Sequence, residues 1–163
     1  MRGKVLFGAF VVLALVICGG LWVLLPPAAG SQACLERELG ITLPQGCKIA
    51  QEDTHGGFHG DGVLLAVAEL GPEGAAELAA GLSSPWQEAP VEEEVLQAFQ
   101  GVWSQYAGDL GSLPEGGAGP WLFRDRYREK YGEVCRQNPL LQNSTFALLD
   151  LSAGRLYVVE VDC

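Results

Sequence analysis

No charged residue occurs between Val5 and Leu25, in VLFGAFVVLALVICGGLWVLL. As a helix, that run of 21 residues is about 31 Å long at roughly 1.5 Å per residue, enough to cross the hydrocarbon core of a bilayer. Pro26-Pro27 ends the run, and Trp22 stands where an interfacial aromatic is expected. Two other readings compete. A cleaved signal peptide has a shorter apolar core, usually about 7–15 residues, although Ala28-Ala29-Gly30 offers a small-residue cleavage site. A lipid-modified cysteine needs a small residue before it. Cys18 follows Ile17, and Cys34 follows Ala33 but has Ser31-Gln32 in front, a poor match. Length favours the uncleaved anchor. Arg2 and Lys4 precede the run and the next basic residue is Arg37. Basic flanks stay in the cytoplasm. The expectation is therefore a single-pass membrane protein. Residues 1–30 form a cytoplasmic stub and transmembrane anchor with the N-terminus inside. Residues 31–163 form an extracytoplasmic domain at the cell surface.

Charge narrows the partners of that domain. Setting Arg2 and Lys4 aside leaves eight basic residues against twenty acidic ones, a formal charge of −12. Such a surface repels nucleic acid and anionic lipid headgroups, and it attracts divalent cations. Four cysteines follow the span, namely Cys34, Cys47, Cys135 and Cys163. Outside the cytoplasm they are disulfide candidates, and four cysteines allow three pairings between which the sequence does not choose. None are spaced C-x-x-C, so neither a redox motif nor a zinc ribbon is indicated.

The pattern beyond residue 31 predicts an α+β domain. Cys34 to Leu39 reads as a brief helix stopped by Gly40, and Lys48 to Asp53 as a strand. Val63 to Leu70 is an apolar run that suits a mostly buried strand. A short helix starts at Pro72. The clearest helix spans residues 91–106, where Val91, Val95, Phe99, Val102, Trp103 and Tyr106 recur at intervals of three and four. Glu92, Glu93 and Glu94 fill its first turn, where negative charge suits the helix dipole. Residues 108–120 are a Gly/Pro-rich loop. Trp121-Leu122-Phe123 suggests a strand, and Asp125 to Val134 has no decisive period. Thr145 to Leu151 and Leu156 to Asp162 read as strands joined by a hairpin turn. Together these elements predict a small antiparallel sheet packed against two or three helices, one face covered by the helix at 91–106.

Chemistry concentrates in DTHGGFHGDG, residues 53–62. The stretch is symmetrical about Gly57. A three-residue hairpin loop at Gly56-Gly57-Phe58 would set His55 opposite His59 and Asp53 opposite Asp61, all four on one face. Facing carboxylates repel, and a bound cation relieves the repulsion. Two imidazoles and two carboxylates suit zinc or manganese. The same residues also suit an ordinary turn, because Asp and Gly are common turn formers. The chain contains no G-x-S-x-G, no H-E-x-x-H and no phosphate loop.

EDTHGGFHGDG at 52–62 and NSTFALLDLSAGRLYVVEVD at 143–162 resemble two landmarks of a family of small, uncharacterised proteins of Gram-positive bacteria. Members of that family sit behind a single N-terminal span. They carry a D-x-H-G-G-F-H-G-D-G stretch followed by a strand, a central helical part and a C-terminal hairpin ending in an acidic residue. The resemblance implies location and architecture, and no activity comes with it. Three functions stay open. The leading one is a membrane-anchored, non-enzymatic binding module with a protein partner outside the membrane. The second is a zinc- or manganese-dependent enzyme using Asp53, His55, His59 and Asp61. The third is a structural accessory of a membrane complex, held through residues 5–25.

Overall fold

The computed structural model describes residues 31–56, 60–115 and 119–163. The predicted anchor lies outside the described residues. Among those described, no helix is long and apolar enough to cross a membrane.

Helix α1, Gln32–Leu39, begins at Ser31, whose hydroxyl accepts from the Cys34 amide, and ends at Gly40 in the left-handed region. Strand β1, Lys48–Asp53, pairs antiparallel with β2, Gly62–Glu69. Helix α2, Gly71–Gly81, carries Pro72 in its first turn. Helix α3 spans Glu93–Tyr106. Strand β3, Trp121–Asp125, runs directly into the short helix α4, Arg126–Tyr131. The hairpin of β4, Ser144–Asp150, and β5, Arg155–Asp162, completes the sheet. Its order is β1-β2-β5-β4-β3, and all neighbours are antiparallel. Gly154, in the turn between β4 and β5, accepts from the amides of Leu70 and Gly71. A Cβ at 154 would lie 2.4 Å from the Gly71 carbonyl carbon, so the close approach requires glycine there.

The helix expected at 91–106 covers one face of the sheet, and two further helices cover the other. On one face α3 packs Val95, Phe99, Val102 and Trp103 against Leu65, Phe146, Tyr157 and Val159. On the other, Leu35, Leu39, Ala75 and Leu78 from α1 and α2 meet Ala66, Ala147, Leu149 and Val158. The physical reason is in the strands. Residues 63–68 of β2 and 144–149 of β4 are buried without interruption, so neither side of the sheet is left for water. Phe99 stacks on Phe146 with ring centroids 4.7 Å apart, and Trp103 meets Tyr157 edge-on at 5.6 Å.

Candidate functional site

The pairing of β1 with β2 sets Asp53 opposite Leu64, not opposite Asp61. The Thr54 amide donates to the Val63 carbonyl, and the Thr54 hydroxyl accepts from the Val63 amide at 2.8 Å. The loop is therefore longer than the expected three residues. Register is fixed by burial: Val63 and Leu65 belong to the α3 side and Ala66 to the other, and a one-residue slip would exchange them. His59 lies outside the described residues. Asp61 is exposed and apart from the ladder.

His55 does find partners, one at the end of β1 and one at the end of β5. Its Nδ1 lies 2.7 Å from Asp53 Oδ1, and its backbone amide donates to the same oxygen at 2.9 Å. Its Nε2 lies 3.1 Å from Asp162 Oδ2. Gly62 makes room for the ring: a Cβ at that position would lie 2.6 Å from His55 Cα. The other Asp162 oxygen accepts from Arg126 at 2.9 Å, and Arg126 also pairs with Glu160 at 2.8 Å. The same guanidinium donates to the carbonyls of Ser144 and Val161, which ties α4 to the ends of β4 and β5. The result is a chain of contacts, Asp53–His55–Asp162–Arg126–Glu160, joining the loop after β1, the end of β5 and the start of α4.

Cross-strand partners extend this cluster over the α1/α2 face of the sheet. Asp53 neighbours Leu64, then Glu160, Thr145 and Arg124 in one row. Arg124 donates to the Glu38 carbonyl at 2.6 Å and grips Glu129 through two nitrogens, at 3.0 and 2.6 Å. That grip holds the Glu129 carboxyl below the usual range. Glu160 goes the other way. Burial pushes it up, Arg126 opposes the rise, and the negative charges of Asp162 and Glu38 add to it. Burial dominates because the Glu160 side chain is only 14% exposed.

Arg126, Glu160 and Asp162 were not among the sequence-predicted site residues. A signal was present in YVVEVD: valines alternate with the two acids, so in a strand covered on both sides the acids must point toward a face that helices cover. Arg126 carried no comparable signal. Among the described residues no group of three or more His, Cys, Asp or Glu side chains is arranged to hold a metal. The disulfide candidates Cys34, Cys47, Cys135 and Cys163 all stand as thiols.

A second feature had no motif to announce it. A groove of about 520 Å³ opens between the segment 39–44, helix α2 and residues 81–86. Ile41, Pro44, Leu78, Leu82 and Trp86 give it an apolar lining, and Glu77 places a carboxylate there. The Trp86 indole donates to the Leu39 carbonyl at 3.3 Å, which joins the two walls. No protein-family model, curated protein or solved structure matches the chain.

Proposed function

We propose that the chain is a membrane-anchored binding module. Residues 5–25 hold it in the bilayer, the domain from residue 31 works outside, and the groove beside α2 takes an apolar polypeptide segment that carries Lys or Arg. The groove is the observation that carries this reading. Its 520 Å³ falls within the roughly 300–1,000 Å³ usual for ligand sites, and its lining mixes apolar and polar groups in near-equal measure, which suits a segment that is apolar in part and charged in part. Glu77 gives a basic side chain its counter-charge, and the formal charge of −12 beyond the span draws basic partners while repelling nucleic acid. The ten-residue stretch supports the same reading by contrast. Both nitrogens of His55 lie against carboxylates, Asp53 at 2.7 Å and Asp162 at 3.1 Å, which supports a role for the ring in holding the loop.

The test uses the full chain in discs of zwitterionic lipid, with a nine-residue peptide of alternating Leu and Lys and its Leu/Glu counterpart. Trp86 is half-buried in the groove wall, whereas Trp103 and Trp121 are only 2% exposed. The Lys peptide is expected to shift the tryptophan emission, and the shift is expected to vanish in Trp86→Phe and to weaken at least tenfold in affinity in Glu77→Lys. Equal responses to both peptides, or a response that survives Trp86→Phe, would remove the groove as the binding place.

A further inference from the structure

We propose that Cys135 and Cys163 are a disulfide site, whose bridge locks the end of β5 and with it the His55 contact. The two cysteines contact adjacent residues of one short segment, 141–143, ahead of β4. The Cys135 thiol hydrogen-bonds Gln142 Oε1. The Cys163 thiol reaches the Leu141 carbonyl at 4.0 Å, and its amide donates to Asn143 Oδ1 at 3.2 Å.

The sheet excludes the rival pairings. Cys47 precedes Lys48, which pairs with Glu69, itself opposite Arg155 at the start of β5. Cys163 follows Asp162 at the other end of β5. Seven steps along the strand are about 23 Å at roughly 3.3 Å each, and bridged cysteines have Cα atoms within about 7 Å. Cys135 lies at the Cys163 end through Gln142, so Cys47 reaches neither. If all four cysteines pair, the only pairing left contains Cys135–Cys163. Cys34 meets Arg37 within its own helix.

The exposures suit the chemistry. Cys163 is exposed and Cys135 is buried. With a small disulfide as oxidant, the Cys163 thiolate attacks one of its sulfurs, forms a mixed disulfide and releases one thiolate. The Cys135 thiolate then attacks the Cys163 sulfur and expels the second thiolate. Two protein thiols are oxidised, one disulfide is reduced to two thiols, and two protons leave the protein. Burial raises the Cys163 thiol, and the nearby charges of Asp61, Asp162 and Cys135 raise it further. The first attack therefore accelerates as pH rises.

The pairing does not depend on which side of the membrane the domain occupies; only the supply of oxidant does. The full chain in detergent, treated with oxidised glutathione, decides it. Trypsin without reductant is expected to give Tyr131–Arg136 joined to Leu156–Cys163. Oxidation is expected to raise the melting temperature by several degrees and to slow amide exchange in residues 54–56. In Cys163→Ser, an exposed position that leaves the buried Cys135 in place, both effects are expected to disappear. Cys135 and Cys163 both alkylatable after oxidation, or a bridge from Cys163 to any other cysteine, would overturn the proposal.

Discussion

Removing the imidazole at position 55 leaves Asp53 and Asp162 without the group that joins them. The contacts are short but partly exposed, with the His55 side chain 21% accessible, which places the loss at about 1–2 kcal/mol. His55→Ala is therefore expected to lower the urea midpoint clearly, while chelator leaves the wild type unchanged. A metal held by Asp53, His55, His59 and Asp61 makes a different demand: the wild type sensitive to chelator. Glu160 gives a second prediction. Burial lifts its carboxyl above the ordinary range in the folded chain, with Arg126 only partly opposing it. The folded state then binds that proton more tightly than the unfolded state does. Stability from this group is full below the ordinary glutamate value and falls as pH rises through the lifted one. Denaturation of the wild type and Glu160→Gln at pH 4.5 and 7.5 reads this directly. The wild type is expected to lose more stability across that interval than the variant, and equal losses would mean that Glu160 does not titrate as its burial dictates.

At the scale of elements, α3 contributes Val95, Phe99, Val102 and Trp103 to the apolar cluster on its side of the sheet. Phe99 is fully buried, stacked on Phe146 and 6.0 Å from Phe123. Phe99→Ala is expected to destabilise by about 3–5 kcal/mol, measured by urea denaturation. Loss below 1 kcal/mol would show that this face of the sheet is loosely filled. This helix was the most legible part of the sequence, because an apolar stripe of period 3.6 over four turns has few other solutions. β2, β4 and β5 were legible for a related reason: their apolar runs are bounded by turn residues. Helix α4 was not legible. RYREKY has no apolar stripe, and the helix rests on Asp125, whose side chain accepts from the Arg128 amide, on Gly132 in the left-handed region and on the Arg124–Glu129 pair. Such contacts depend on where β3 delivers the chain. The register of the 53–62 loop was misread for a similar reason. Local symmetry about Gly57 suggested one pairing, and burial of Val63 to Ala68 on both sides of the sheet imposed another.

At the scale of the molecule, the histidine cluster and the groove share the α1/α2 side of the sheet. The cluster occupies the row from Asp53 through Glu160 to Arg124, and α1 joins the two, because Glu38 meets Arg124 while Leu39 meets Trp86. A binding surface built on that side faces outward only if the chain is oriented as its N-terminal charges indicate. The lysines make the orientation measurable, since the chain has three: Lys4 ahead of the uncharged run, and Lys48 and Lys130 beyond it. Both Lys48 and Lys130 are exposed. An amine-reactive reagent that cannot cross membranes, applied to intact cells, is expected to label Lys48 and Lys130 and to spare Lys4 until the membrane is opened. Labelling of Lys4 alone would invert the orientation and place the groove and the cysteines in the reducing compartment. Labelling of all three in intact cells, on chains released by a salt wash, would mean that residues 5–25 do not anchor the protein. If the expected pattern holds and replacing residues 1–30 with an unrelated span changes neither the labelling nor the peptide response, the span acts only as an anchor. Recognition then belongs to the domain outside, and the structural-accessory reading loses its basis.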